Sequence, residues 1–215
     1  MSHDGLAWLE PEDRTPRGTL LVLGGRGESA NLYRSFATLL GAAGYRVGVL
    51  GDITDDLPSA RSWIATLLAD DTYPCPKVLI GSDTGALLAL RLGIHAELGI
   101  DGIVVAGAPV NSGTARRPLS AVGTEPKVVG PVPEPLRVVD PHHVRTPVLA
   151  LHGRNDTVAP MGPALEIYRA LPRSEIVMID TARHHILDGA TDLTAAAIVA
   201  FLERLEGAPA RLESR

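Results

Sequence analysis

A chain of 215 residues, 45% hydrophobic and 21% charged, is long enough to bury one substantial core and short for two, so a single domain spanning 1–215 is expected. The formal net charge is −5, and Lys77 and Lys127 are the only lysines; the arginines are scattered among acids, which argues against a nucleic-acid partner. Cys75 stands alone, excluding an intrachain disulfide, while the absence of a signal-like N-terminus or of an apolar run near the roughly 20 residues that span a bilayer leads us to expect a cytoplasmic protein with no membrane partner.

In chain order, residues 5–11 suggest a short edge strand, followed by a charged, proline-marked turn. Gly18 to Gly27 is a continuous apolar run ending in glycines, the pattern of a strand buried on both faces. From Asn31 to Gly44 the apolar residues Leu32, Phe36, Leu39, Leu40 and Ala43 recur at helical spacing, with Gly44 as the stop. A second strand is expected over Tyr45 to Leu50 and a second helix over Pro58 to Ala69. The next strand, beginning at Val78, runs into a helix through Gly81-Ser82-Asp83-Thr84-Gly85. Another strand covers 102–107. Residues 111–146 then carry Pro118, Pro126, Pro131, Pro133, Pro135 and Pro141, too many for a long helix, and read as one irregular insertion. Periodicity returns with a strand over 147–152, a helix over 162–171, a strand over 175–179 and an amphipathic helix over 193–205; a frayed tail is expected from Gly207. Strands alternating with helices, each strand almost continuously apolar, predict an α/β fold with a mostly parallel, doubly wound sheet covered on both faces.

The stretch from Val78 to Leu90 carries the chemistry. A strand that turns this sharply into a helix strains its central residue and needs small residues two positions to either side. Gly81 and Gly85 meet that need when Asp83 is at the summit, whereas centring the turn on Ser82 would put Ile80 at a position requiring a small side chain. A plain helix N-cap at Asp83 is the alternative reading. In a parallel sheet, sites form where loops leave the carboxyl ends of strands. Besides the elbow, three polar loops fall there: Gly24 to Ser29, His152 to Pro160, and Thr181 to Asp188.

The order in these loops, elbow residue, then Asp156, then His184, is that of an α/β-hydrolase triad. Here the sequence resembles the α/β-hydrolase superfamily over nearly its whole length. Gly24 to Ser29 with Tyr33 and Gly44-Tyr45 is similar to the oxyanion segment of monoglyceride-lipase or lysophospholipase-like members. His152-Gly153 with Asp156 and Pro160 resembles the acid loop, and Ala182-Arg183-His184 the histidine loop. The resemblance implies Asp83 as nucleophile, Asp156 as orienting acid and His184 as base, with an oxyanion or substrate-binding site at Gly25, Arg26 and Thr84, the backbone N–H groups of Arg26 and Thr84 forming the hole. Two departures stand out: Gly24 replaces the usual histidine, and Asp83 replaces serine.

A carboxylate with a reference pKa of about 3.9 is ionised at neutral pH and needs no base to attack. Its adduct with an ester carbonyl collapses backwards, because carboxylate leaves more readily than alkoxide. At an sp3 carbon bearing halide or strained oxygen it instead forms an alkyl ester, which a histidine-activated water hydrolyses. Gly81-Ser82-Asp83 and Gly85 resemble the elbows of epoxide hydrolases and haloalkane dehalogenases. Those families place tryptophan after the aspartate where this chain has Thr84, and epoxide hydrolases carry cap tyrosines, whereas residues 111–146 contain neither tyrosine nor tryptophan. The leaving-group proton must then come from another source, such as Arg26, His152 or a water. The expectation is an epoxide-hydrolase-like hydrolase of a small organic substrate, without cofactor or metal, the short insertion leaving the pocket open or closed by the partner chain of a homodimer. Two alternatives stay open: Asp83 as general base in esterase-like or lactonase-like chemistry, or a binding protein that lost catalysis. Among the remaining residues, His185 is a second candidate base, Glu28 is expected to cap the helix after its loop, His142 and His143 to lie on a surface turn, His95 and His3 to be solvated, and Cys75 to be structural.

Overall fold

The computed structural model describes residues 7–11, 14–110, 117–119, 127–189 and 191–207. Nine strands and six α-helices lie among them: β1 Ala7–Leu9, β2 Thr19–Gly24, α1 Arg34–Ala42, β3 Arg46–Asp52, α2 Leu57–Ala69, β4 Lys77–Ser82, α3 Thr84–Leu92 and β5 Gly102–Ala106, then β6 Arg117–Leu119, β7 Lys127–Val129, β8 Val148–Gly153, α4 Met161–Ala170, β9 Ser174–Ile179, α5 Ile186–Gly189 and α6 Thr191–Glu206. Seven strands form one sheet in the order β1-β3-β2-β4-β5-β8-β9. All neighbours are parallel except the edge strand β1, which runs antiparallel to β3.

The apolar runs form strands because both of their faces are covered. Along β2, Leu21 and Leu23 pack into a core layer with Ile64, Leu68, Leu87 and Tyr168, while Leu20 and Val22 pack on the opposite face with Phe36, Leu40, Ile198 and Phe201. Helices α2, α3 and α4 therefore cover one face, and α1, α5 and α6 the other. None of the described helices is long and apolar enough to cross a membrane.

Strand order positions the candidate site. The chain adds β3 on one side of β2 and β4 on the other, so the sheet reverses its winding between β2 and β4, and a crevice opens at their carboxyl ends. The register pairs Leu23 with Gly81, which sets the Gly24 loop directly beside the Asp83 turn.

The insertion differs from the expected irregular segment. Its described part contains the antiparallel hairpin β6–β7, with Arg117 opposite Val129, and short 3₁₀ turns at Glu134–Leu136 and Pro141–His143. Val132 and Leu136 anchor its end in the core. No long helix occurs among its described residues, in line with the proline count, which says nothing of a hairpin. Residues 111–116 and 120–126, the tail from 208 and His3 lie outside the described residues. The amphipathic helix expected over 31–44 opens with a 3₁₀ turn, Ala30–Tyr33, and α5 is an element that periodicity is too short to reveal.

Candidate active site

The elbow forms as its glycines require. A Cβ on Gly81 would lie 2.3 Å from the Gly85 carbonyl oxygen, and one on Gly85 would lie 2.1 Å from that of Leu23, so the turn closes only if both are glycine. Between them Asp83 has φ 46° and ψ −119°, and it is the only non-glycine residue with positive φ among those described. Such a conformation costs on the order of 1–3 kcal/mol and persists only where surrounding contacts impose it. The N-cap alternative fails, because the Asp83 side chain makes no capping hydrogen bond to α3.

Asp83 is instead the hub of a buried charge cluster. Its Oδ1 lies 3.3 Å from His184 Nε2, close enough for an ion pair although out of line for a hydrogen bond. His184 Nδ1 is 2.8 Å from Asp156 Oδ2. The other Asp156 oxygen accepts the Val158 and Ala159 N–H groups, each at 2.8 Å, which fixes the acid loop. The three residues singled out in the sequence, Asp83, Asp156 and His184, are thus brought together from the ends of β4, β8 and β9.

Arg26 plays a part the sequence does not announce. Its backbone N–H, expected to face a substrate oxyanion, donates to Asp83 Oδ2 at 3.2 Å. Its guanidinium forks onto the same carboxylate, Nε to Oδ2 at 2.7 Å and Nη2 to Oδ1 at 2.6 Å. The third guanidinium nitrogen, Nη1, donates to the Gly130 carbonyl of the insertion at 2.8 Å. Bidentate Arg–carboxylate pairs are among the stronger charge-assisted contacts. Arg26 is 5% exposed, and Asp83 and His184 are each 2% exposed. Gly25 permits this approach: a Cβ there would fall 2.4 Å from that of Asp83.

Charge sets the protonation states. Burial works against the ionised Asp83, but the Arg26 fork and His184 outweigh it and hold the carboxyl far below the usual carboxylate range. Burial likewise opposes a charged His184, yet its contacts with Asp156 and Asp83 prevail and raise it to about 10. Both contacts therefore favour the imidazolium form of His184 over the neutral ring. Arg26 is pushed upward by Asp83 against the pull of burial, so it stays a fixed cation.

A second cluster lies alongside. Glu28, 2% exposed, does not cap a helix. One oxygen accepts the Gly25 N–H at 2.5 Å and the Tyr33 hydroxyl; the other accepts the Ser82 hydroxyl at 3.1 Å and faces His185 Nδ1 at 3.0 Å. A carboxylate drawn into the interior, where leaving it unbonded is costly, takes these donors in preference to a helix end. The Gly25 N–H therefore points at Glu28 rather than toward a substrate. Burial, then Glu28, push the Tyr33 hydroxyl well above its ordinary value. The second candidate base, His185, belongs to this cluster, its ring 5.4 Å from that of His184 and edge-on to it.

Other candidates are placed elsewhere. His152 is wholly buried, with Nε2 2.9 Å from the Ala159 carbonyl and Nδ1 3.3 Å from the Tyr168 hydroxyl. The carbonyl contact requires the proton on Nε2, and burial lowers the ring's affinity for a second proton, so His152 is not a leaving-group acid. His143 pairs with Asp140 at 2.7 Å on an exposed turn, and His95 with Glu97 at 3.1 Å. No group of three metal-ligating side chains occurs among the described residues. Thr84 contributes a buried hydroxyl with no hydrogen-bond partner, directly after the elbow residue. A groove of about 670 Å³ runs between the β3–α2 connection and the insertion, past Asp55, Leu57, Arg61, Pro133 and Pro135; no residue of the Asp83 cluster lines it.

Solved structures reproduce this architecture. Est1E from Butyrivibrio proteoclasticus superimposes with a TM-score of 0.74 at 12% identity, covering 94% of each chain. The esterase domain of a Rhodothermus marinus protein gives 0.71 at 21% identity, covering 92% of this chain and 91% of its own. A monoacylglycerol lipase from Paleococcus ferrophilus gives 0.69 at 17% identity, covering 93% and 98%. No protein-family model matches the chain, and neither does any curated protein. At these identities the likeness is one of fold: the chain has the α/β-hydrolase fold.

Proposed function

We propose that this chain with the α/β-hydrolase fold is a hydrolase of a small organic substrate, working through an alkyl ester on Asp83. The observation that carries the reading is the carboxylate raised on a strained elbow, 3.3 Å from an imidazole that a second carboxylate orients at 2.8 Å. Strain of this kind is retained where the side chain has a task.

The resting protonation state supplies the proton that a tyrosine-free insertion lacks. Asp83 Oδ1, the oxygen facing His184, attacks an epoxide carbon while Oδ2 stays with the Arg26 N–H. The C–O bond of the ring breaks, and the proton on His184 Nε2 passes to the leaving oxygen. His184 is now neutral beside a neutral ester. With one carboxylate charge gone, its affinity for a proton falls, which suits it to take one from water. Hydroxide adds to the ester carbonyl, the alcohol leaves, and Asp83 returns to carboxylate with His184 again protonated. The sum is epoxide plus water to diol.

A carboxylate held so far below its usual range is a poor general base, which weakens the esterase-like or lactonase-like alternative. The non-catalytic alternative draws on a specific observation, the Arg26 fork that occupies both Asp83 oxygens. Turnover of a panel of small epoxides in heavy-oxygen water separates the three. Label in the Asp83 carboxylate is expected from the covalent route; turnover without label would support the base, and no turnover the binding protein.

A further inference from the structure

The covalent route, on which this inference rests, changes the charge beside Arg26. In the resting site the guanidinium has one anionic partner, Asp83, and one neutral one, the Gly130 carbonyl. Nearby carboxylates are engaged elsewhere: Glu28 takes donors from Gly25, Tyr33, Ser82 and His185, and Asp52 accepts the Gly27 N–H at 2.6 Å together with the Thr54 N–H and hydroxyl. Esterification turns Asp83 into a neutral group and strands a cation that is 5% exposed. A buried charge deprived of its partner is strongly unfavourable, and an arginine cannot shed its proton to escape.

We propose that the substrate brings the replacement: it carries a carboxylate or similar oxyanion, which takes over the Arg26 fork as Asp83 becomes an ester. The planar fork matches a carboxylate in two parallel hydrogen bonds, as it already does with Asp83. The reaction then exchanges one carboxylate for another on the same guanidinium. Oδ1 of Asp83 forms its bond to the epoxide carbon, the ring oxygen leaves with the His184 proton, and the substrate's carboxylate keeps its charge throughout. When water hydrolyses the ester, the regenerated Asp83 carboxylate competes for Arg26 and helps to expel the anionic product.

The test uses Asp83→Asn, a neutral side chain of nearly the same shape as the ester, titrated with sodium acetate and followed by calorimetry and thermal melting. Acetate is expected to bind this variant about tenfold or more tightly than wild type and to raise its melting temperature. Acetamide should do neither, and adding Arg26→Gln should abolish the effect. Asp83→Ser serves as a second neutral variant should Asp83→Asn fold poorly. Equal acetate affinity in wild type and both neutral variants, or binding that survives Arg26→Gln, would overturn the proposal. In wild type, kcat/KM for 2,3-epoxypropanoate should exceed that for propylene oxide by about tenfold or more, and the reverse preference would overturn it. Acetate binding without turnover of any epoxide would support the anion site while refuting the covalent reading.

Discussion

Two carboxylate–histidine clusters stand side by side in this molecule, and three segments contribute a residue to each. The elbow contributes Asp83 to one and Ser82 to the other; the histidine loop contributes His184 and His185; the glycine loop contributes Arg26 and Glu28. In the Asp83 cluster the carboxylate is paired with cations, sits on strained backbone and is tied to the insertion through Arg26 and Gly130. In the Glu28 cluster the carboxylate gathers a backbone N–H, two hydroxyls and a ring nitrogen, and so ties three segments together. In each of these segments one residue ties the scaffold together and another belongs to the charge cluster that can react. A single residue of slip in the elbow or the histidine loop would exchange the two roles there.

The largest effect should follow from removing the reactive carboxylate. Asp83→Ala is expected to abolish turnover and, by leaving Arg26 buried without its partner, to destabilise the fold by about 3–5 kcal/mol. The double variant Asp83→Ala/Arg26→Leu should recover much of that stability but no activity. Chemical denaturation of the set checks both, and equal stability of the single and double variants would show that the fork contributes little. Glu28→Ala comes next. It strips the acceptor from several buried donors, each worth roughly 1–3 kcal/mol when left unsatisfied, so a loss of at least a few kcal/mol should appear in the same denaturation curves. Glu28→Gln, which keeps one carbonyl oxygen, should lose less.

A third, smaller effect separates the clusters by pH. His184 is raised from its ordinary 6.5 to about 10, so its contribution is complete below about 6.5 and declines as pH rises toward 10. Asp83 is depressed below its ordinary 3.8, so its contribution is present above that value and is lost as pH falls below it. Melting temperature should therefore drift down between about pH 6.5 and 10 in wild type, and Asp83→Asn should flatten much of that slope. The smallest effect belongs to His143→Ala on its exposed turn, which should alter neither melting nor turnover.

Much of the framework is legible in the sequence. β2, β4, β5 and β8 read as continuous apolar runs because both faces of the sheet are covered, and that same burial removes the alternation that would show which face each residue takes. The elbow was legible because Gly81 and Gly85 are demanded by contacts under 2.5 Å that no side chain can satisfy. Asp156 and His184 followed from chain order and loop chemistry. The Arg26 fork is not legible there, since it joins residues 57 apart and the sequence offers Arg26 only as a backbone donor or a source of the leaving-group proton. Charge alone points to it: aspartate in place of serine adds a buried negative charge, and Arg26 is the one cation in the loop that strand order sets beside the elbow. The sequence points Glu28 to a helix cap because its actual donors come from four separate places, only two of them, Gly25 and Tyr33, near it in sequence.

The proposed chemistry turns on where one proton sits at rest. Histidine-selective nitrogen NMR of the wild-type protein, titrated from pH 5 to 11, reads this without any substrate. His184 is expected to carry protons on both ring nitrogens at pH 7, to release one near pH 10, and to shift toward 6.5 in Asp83→Asn. A His184 that is already neutral at pH 7 in wild type would contradict it, since the site would then hold no proton for the leaving group.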